Sequence, residues 1–387
     1  MCTLHHRARA SRPRIPRPAL IKLIWAWLVV IVFTVYGGDL LAAPLTPAVA
    51  LGCFALLFFT IVAASFGVVH EADRLAQQLG EPYGTLILTL SIVSIEVILI
   101  ASVLLGPGEF PTIGRDAIFA VMMIIINLVM GICLIAGALR HGEQTYNAQG
   151  AKAYLGMIVL LTGCALVLPN SLPGAGAFST VQAWTIAGIT AALYGLFLAL
   201  QMGRERRLFM QPEPGLMAIV HRPDQASDSA PAQDKAQGST RQSSLLLLAM
   251  IVPIVLLAHH LAVVIDYGVV AAGAPIAVSG LLIAIIVFTP ESLTAVKAAL
   301  NQDMQRAINL CLGAFVSTVG LTVPAVLVIG LLTGKPVIMG ISALETLLFA
   351  LTVMLAMLSF GGQKTSVIQG ALHLALFALY GFLLFGA

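Results

Sequence analysis

The sequence contains few charged residues for its length. Asp, Glu, Lys and Arg together make up 10% of the 387 residues, whereas hydrophobic residues make up 59% and the mean hydropathy is +0.99. A soluble globule of this size needs more polar surface than these residues supply. The composition therefore excludes a water-soluble domain, gives no sign of a nucleic-acid partner and predicts a protein surrounded by membrane lipid.

Motifs for disulfide, metal and nucleotide chemistry are also missing. The five cysteines stand singly, four of them inside apolar runs, so their spacing suggests neither a disulfide framework nor a zinc site. The sequence has no H-E-x-x-H or G-x-S-x-G motif, and "LTGKPV" lacks the glycines of a phosphate-binding loop. We therefore expect no enzyme activity, no cofactor and no nucleotide-driven transport.

Eleven apolar runs have roughly the 20 residues that a helix needs to cross a bilayer. They lie near residues 20–36, 47–70, 83–106, 117–139, 151–169, 179–202, 244–266, 270–296, 307–332, 337–360 and 365–386. Strands of a membrane barrel would be shorter and would alternate in polarity. The runs therefore predict an all-α polytopic membrane protein with about eleven transmembrane helices.

Lys and Arg are distributed unevenly between the predicted connections. With the N-terminus in the cytoplasm, 18 of the 20 basic residues lie inside, and only Arg115 and Lys335 lie outside. The positive-inside rule then predicts a cytoplasmic N-terminus and a C-terminus on the other side of the membrane. The first span could instead be a signal sequence cleaved near "LLAAP", which would leave the later topology unchanged.

The predicted spans form two groups of five after an isolated first helix. A basic tail (1–19) and an extra transmembrane helix (20–36) precede a first five-helix repeat (47–202). A flexible cytoplasmic linker (203–243) separates it from a second five-helix repeat (244–387). Because five is odd, two related units must enter the membrane in opposite orientations, as in inverted-repeat transporters.

One glutamate occupies the middle of an apolar span in each repeat. Glu96 and Glu291 both follow a Gly-x-Pro sequence, and an arginine opens the next span in each half (Arg115 and Arg306). A carboxylate in hydrocarbon costs several kcal/mol unless it is neutralised or paired. The matched positions therefore predict a functional pair that a pseudo-two-fold axis brings together near the membrane midplane.

We expect the two glutamates to bind the transported cation and the protons. Oxygen atoms on the same and neighbouring spans could complete a cation shell: Thr89, Ser91, Ser94, Asn127, Thr289, Ser292, Ser317 and Thr318. Pro290 would free a backbone carbonyl as well. Glu345 is a candidate accessory proton site, with an interfacial position as the alternative, and a packed or paired role is expected for His259, His260 and His373.

The charge of this predicted site favours exchange over a leak. Two ionised glutamates with one Ca²⁺ are neutral, and so are two protonated glutamates, whereas an empty dianionic pair in a low dielectric is heavily penalised. A monovalent cation could bind with one glutamate protonated. A cation channel, or a cation exchanger that is not coupled to protons, remains an alternative, and the oligomeric state stays open.

Four stretches resemble the bacterial ChaA-type cation/proton antiporters of the Ca²⁺:cation antiporter superfamily. They are "LGEPYGTLILTLSIVSIEV", "RDAIFAVMMIIIN", "TPESLTAVKAALNQDMQRAINLCLG" and "VSTVGLTVPAVLVIGLLTGK", and the resemblance extends from about residue 50 to the end. It implies export of Ca²⁺, and also of Na⁺ or K⁺, against inward protons, with Glu96 and Glu291 as the family's acidic residues. Related vacuolar exchangers have Gly-Asn where this chain has "IVSIE" and "FTPES", so their ion selectivity cannot be transferred.

Overall fold

The computed structural model describes residues 17–42, 45–79, 83–106, 110–212, 240–362 and 364–386. Nearly all of these residues lie in eleven long helices. The helices are α1 (Arg17–Leu40), α2 (Pro47–Leu79), α3 (Tyr83–Leu104), α4 (Ile113–His141), α5 (Ala148–Ser171), α6 (Thr180–Met202), α7 (Thr240–Ala272), α8 (Ala277–Leu300), α9 (Met304–Thr333), α10 (Ala343–Ser359) and α11 (Val367–Gly386). Helix α4 contains a π-helical stretch, Met123–Val129, and α5 ends in a π-helical and a 3₁₀ turn.

The helices agree with the predicted membrane spans in number and order. Within the described ranges, nine helices are long and apolar enough to cross a membrane, and two shorter apolar helices, Leu90–Leu104 and Ala343–Ser359, complete the set. Several predicted boundaries are wrong, including the end of the second span, because α2 continues to Leu79 and does not stop at 70. The eighth span begins at Ala277, not at 270, because Gly273 (φ +57°) and Pro275 interrupt the helix, and the tenth begins at Ala343, not at 337.

Side-chain caps fix where several of the helices start. Asn147 accepts hydrogen bonds from the backbone at the start of α5, and Ser179 and Ser342 form capping boxes at the starts of α6 and α10. Such caps satisfy backbone N–H groups that have no partner inside the helix. The caps therefore define the first residue of each of these three helices.

The packing of the helices is arranged in matched pairs from the two halves. Helix α3 packs against α9 and α8 packs against α4, while α6 packs against α9 and α11 against α4. Two isolated β-bridges also join the two halves, one between Thr145 and Lys364 and one between Ala177 and Ile338. These reciprocal contacts fit the predicted inverted repeat, with α1 outside it against α2 and α7.

The bundle has two ends. We call the end that carries the 141–148, 203–212 and 300–304 segments the basic end. The other end, with the 110–113, 171–180 and 333–343 segments, is the opposite end. At the basic end, Tyr146 donates a hydrogen bond to the Ser359 carbonyl (3.2 Å). Burial raises the pKa of Tyr146 to about 12, so the hydroxyl stays protonated at neutral pH.

The first ten residues of the predicted linker pack on the bundle. A 3₁₀ turn, Arg206–Phe209, sets the Phe209 ring 5.0 Å from the Tyr154 ring, and Asn309 donates a hydrogen bond to the Phe209 carbonyl (2.6 Å). Helix α7 already begins at Thr240. Residues 213–239, the centre of the predicted linker, and residues 1–16 of the predicted basic tail lie outside the described residues.

Candidate cation-binding site

Glu96 is buried in the centre of the bundle. Its exposed fraction is 0%, and its Oε2 accepts a hydrogen bond from Thr318 Oγ1 at 2.9 Å. The contact joins α3 of the first half to α9 of the second half. The other oxygen, Oε1, is buried without a hydrogen-bond partner. Burying a charged carboxylate oxygen without a hydrogen-bond partner is energetically unfavourable unless it binds a proton or a cation.

Glu291 lies on α8 directly after a proline inside the helix. Pro290 has no N–H group, so the carbonyl of Ile286 loses its usual helical donor and is freed as an oxygen ligand. Glu291 Oε2 is also buried without a hydrogen-bond partner. The carboxylate lies within electrostatic reach of Glu96 and of Asp73. The charges of the two predicted glutamates therefore interact.

A cavity leads from the basic end of the bundle to Glu291. It has a volume of about 380 Å³, and Arg206, Asn309 and Arg306 lie along it together with Ser317. A second cavity of about 130 Å³ also reaches Glu291 and is lined by Asp73 and Arg306. Glu96 lines neither cavity. Glu291 is thus the glutamate that faces the basic end, and Glu96 lies behind it.

The predicted oxygen ligands fall into two groups: those that are buried or line the larger cavity, and those that face away from the glutamates. Thr318 contacts Glu96, and Ser317 lines the larger cavity, with its hydroxyl donating to the Gly313 carbonyl (3.0 Å). Ser91 is buried on α3, and its hydroxyl donates to the Ile87 carbonyl. Hydroxyls that donate to the backbone keep lone pairs for a cation.

Ser94 and Thr289 do not face the glutamates. Ser94 is exposed, and Thr289 lines a separate outer groove that also contains Phe377. Each residue lies two positions before its glutamate, which on an α-helix turns a side chain about 200° around the axis. Ser292 follows Glu291 and lines both this groove and a small void beside Glu291. The side chain of Thr89 lies outside the described residues.

Asn127 is engaged in a network of its own. Its Nδ2 donates to Thr352 Oγ1 (3.0 Å), and its Oδ1 lies 3.0 Å from His373 Nδ1. The other ring nitrogen of His373 lies 3.2 Å from Ser359 Oγ. The paired role expected for His373 is therefore confirmed, while Asn127 forms no hydrogen bond with Glu291 in this conformation.

Two acidic side chains have different surroundings from those expected. Glu345 stands in the first turn of α10 and not a third of the way into a span, because the helix starts at Ala343. Its Oε2 accepts a hydrogen bond from the Ser342 backbone N–H (2.8 Å) and completes the helix cap. Asp116 lies directly before the predicted fourth span, where a charged side chain is usually solvated, but it is buried and accepts hydrogen bonds from Thr112 and Arg115.

Sequence reasoning missed two residues near the glutamates. Thr322 lies one turn after Thr318, and its buried hydroxyl is close to the Glu96 carboxylate. Its spacing of four from Thr318 places both on one helix face, which could have identified it. Asp73 was missed because the predicted second span ended at residue 70, whereas α2 continues to Leu79.

The site could hold a hard cation only through oxygen atoms. Among the described residues, no group of three or more His, Cys, Asp or Glu side chains is arranged to hold a metal ion. The oxygen atoms shown near the two glutamates belong to threonine and serine hydroxyls and to the carboxylates themselves. Such a mixed set suits a transported ion that must leave again better than a resident metal.

Comparison with known proteins identifies the family. The family model described as sodium/calcium exchanger protein matches residues 49–203 and 243–386. The chain belongs to the sodium/calcium exchanger family. These two segments lie in the two halves of the chain and leave out most of the stretch between α6 and α7. The exchanger is therefore a multi-span membrane transporter by family as well as by composition.

The exchanger also resembles individual proteins over nearly its whole length. It is 34% identical over 360 residues to the sodium-potassium/proton antiporter ChaA of Escherichia coli, covering 93% of this chain and 94% of that one. The solved structure of native YfkE superposes with a TM-score of 0.71 at 16% identity, covering 94% of this chain and 99% of that chain. The H⁺/Ca²⁺ exchanger CAX gives a TM-score of 0.67 at 13% identity, covering 96% and 89%. The predicted resemblance and fold class are confirmed.

Proposed function

We propose that this exchanger is a secondary antiporter that exports Na⁺, K⁺ or Ca²⁺ from the cytoplasm in exchange for protons. One observation carries the proposal: Glu96 and Glu291 share an electrostatic site, and each keeps a buried oxygen without a hydrogen-bond partner. Two such carboxylates cannot both stay ionised and empty in a low dielectric. They need a cation or protons, and this alternative is the basis of exchange.

Alternating occupancy couples the two ions. With one Ca²⁺ on two carboxylates, or with two protons, the site carries no net charge and its conformational change meets no large electrostatic barrier. The empty dianion meets such a barrier, so the carrier returns only when it is loaded. For Na⁺ or K⁺, one carboxylate keeps its proton. The sodium-potassium/proton antiporter ChaA, at 34% identity, supports monovalent cations as substrates.

The proposed orientation sets the direction of transport. The asymmetry of Lys and Arg supports a cytoplasmic N-terminus, and the similarity to the Escherichia coli antiporter supports a bacterial inner membrane. The basic end and its cavity then face the cytoplasm, so Glu291 receives cytoplasmic cations in this conformation. We propose a transport role without enzyme activity, because the chemistry needed is binding and release of ions.

The decisive test measures proton movement in everted membrane vesicles with an imposed pH gradient. Adding Na⁺, K⁺ or Ca²⁺ separately should collapse the gradient with the wild-type protein. Glu96→Gln and Glu291→Gln keep the shape of each side chain and remove its charge, so each should abolish the collapse. Glu143→Gln is the matched control, because Glu143 lies at the basic end with a side chain 62% exposed and should retain wild-type rates.

Two results would overturn this proposal. Wild-type exchange in both glutamine variants, purified as monodisperse protein, would rule out the two-glutamate site. Cation flux that leaves the pH gradient unchanged would favour the alternative of a channel or an exchanger without proton coupling.

A further inference from the structure

Two arginines occupy matching positions in the two halves but have different surroundings. Arg115 is the third residue of α4, and Arg306 is the third residue of α9. Arg115 lies at the opposite end of the bundle and Arg306 at the basic end. In an inverted repeat the two ends are equivalent by pseudo-symmetry, so a difference between these residues reports a difference in the state of the two ends.

Arg115 joins the two halves of the chain at the opposite end. Its Nε donates to Asp116 Oδ1 (3.1 Å), and its Nη1 donates to the backbone carbonyl of Gly340 in the second half. Asp116 is held in turn by Thr112 Oγ1 at 2.7 Å. The guanidinium therefore bridges a buried carboxylate of one half and the backbone of the other.

The backbone around Gly340 is held closely against the first half. Ile338 N–H donates to the Pro111 carbonyl (2.8 Å), and Gly340 N–H donates to the Gly176 carbonyl (2.8 Å). A side chain at position 340 would collide with Gly176 and Asn170, so only glycine allows this approach. The opposite end is thus closed, with the Arg115 guanidinium as its only charged cross-link between the halves among the described residues there.

Arg306 has no equivalent bond. Its guanidinium lines both cavities that lead to Glu291 and forms no hydrogen bond or ion pair within the described part of the chain. Asp73 is the acidic group within its electrostatic reach. At the basic end, therefore, a cavity reaches Glu291, and the Arg306 guanidinium is not bonded to the other half in the part of the chain that the structure describes.

The carbonyl that matches Gly340 can be identified from sequence spacing. The helix caps Asn147 and Ser342 are 195 residues apart, the same separation as between Glu96 and Glu291. Counted back from these caps, Thr145 and Gly340 each lie two residues before the cap and are therefore counterparts. The two arginines are 191 residues apart, because the connections between matching helices differ in length. Its carbonyl already accepts a hydrogen bond from Gln211 Nε2 (3.0 Å), which belongs to the packed start of the linker.

We propose that Arg115 and Arg306 are alternating latches of the two ends. In this conformation Arg115 holds the opposite end closed. When the opposite end opens, Arg306 takes the Thr145 carbonyl and closes the basic end, and Gln211 holds that acceptor while the basic end is open. A guanidinium stays charged at all physiological pH values, so the latches respond to conformation while protons act at the glutamates. This inference rests on the proposed antiport.

The test measures access to the larger cavity with a membrane-impermeant maleimide. Ala314 lines this cavity, so Ala314→Cys in a protein whose five native cysteines are replaced should react from the basic end. Arg115→Met removes the latch that stabilises this state. We expect the ratio of open to closed basic ends, and with it the labelling rate, to fall by about fivefold.

Two variants that affect the Arg306 latch should change the labelling rate in different directions. Arg306→Met removes the latch of the alternative state, so labelling should stay equal or rise while exchange slows. Gln211→Ala frees the Thr145 carbonyl for Arg306, so labelling should fall. Arg140→Met and Lys335→Met are the controls at the two ends, and both should label and transport as the parent protein does.

A double variant separates loss of the latch from destabilisation of the fold. Arg115→Met leaves Asp116 as an unpaired buried carboxylate, which by itself could destabilise the protein. Arg115→Met combined with Asp116→Asn removes that charge and should show the same fall in labelling. The latch proposal would be overturned if the labelling rate changed in the same direction in Arg115→Met and Arg306→Met, or if it changed in neither variant. Because labelling needs no proton coupling, that result is distinguishable from failure of the antiport itself.

Discussion

Among the described residues, the hydrogen bond between Thr318 and Glu96 is the one that joins a predicted ligand to a predicted glutamate. It crosses from the second half to the first and orients Oε2, which leaves Oε1 for a cation or proton. The position of Glu96 was predictable, since a lone carboxylate in an apolar run stands out. Its partner was predictable only as one of eight polar residues, because local sequence does not say which helix faces meet.

Replacing Thr318 with valine should weaken the site without unfolding the protein. Valine keeps the shape but loses the hydroxyl, so the carboxylate of a buried Glu96 loses a stabilising donor. We expect the exchange rate to fall by about tenfold, which corresponds to the loss of a hydrogen bond to a charged group. Cation-dependent proton flux in liposomes measures the effect.

Thr333→Val on the same helix is the matched control for this change. Its hydroxyl is exposed and bonds only to the Ile329 carbonyl, so exchange should be unchanged. Equal rates in the two valine variants would mean that the hydroxyl of Thr318 has no part in ion binding.

At the scale of the elements, close crossings between helices of different halves set the geometry of the site. Helix α8, which carries Glu291, approaches α4 so closely that a Cβ atom at Gly280 would lie 2.6 Å from the backbone nitrogen of Ala117. Hydropathy predicted both helices but not this crossing. The bounds of α8 and α10 were mispredicted for a related reason, because apolar residues outside a helix look like part of the span.

Gly280→Ala should therefore force α8 and α4 apart. Overpacking at a tight contact costs about 1–3 kcal/mol, and here it also displaces Glu291. We expect a lower midpoint of thermal unfolding in detergent and slower exchange. Gly188→Ala on α6 meets nothing within 4 Å and should leave both quantities unchanged. A wild-type midpoint for Gly280→Ala would show that this crossing tolerates separation.

At the scale of the whole molecule, the two-carboxylate site predicts how exchange depends on cytoplasmic pH. Binding of Ca²⁺ requires both glutamates to be ionised, whereas binding of Na⁺ or K⁺ requires one. At pH values where the pair is mostly protonated, Ca²⁺ flux should rise with pH about twice as steeply, on logarithmic axes, as Na⁺ or K⁺ flux.

Initial rates in liposomes with each cation alone, over a range of pH on the side of the basic end, provide the measurement. The same protein with monovalent and divalent cations is its own control for folding and orientation. Identical slopes for Ca²⁺ and Na⁺ would exclude the replacement of two protons by one divalent ion.

The sequence by itself determined the membrane class, the number of helices and one glutamate in each half, because apolar runs and isolated carboxylates are local features. It also determined the opposite orientation of the two units, since that follows from an odd number of spans. Only the tertiary structure decided that Glu291 faces an open cavity while Glu96 lies behind it, and that Asn127 pairs with His373. It also decided that Arg115 bonds to the other half, whereas the Arg306 guanidinium makes no hydrogen bond or ion pair with the residues that the structure describes. These features depend on which faces of distant helices meet, and the hydropathy of the sequence does not specify those contacts.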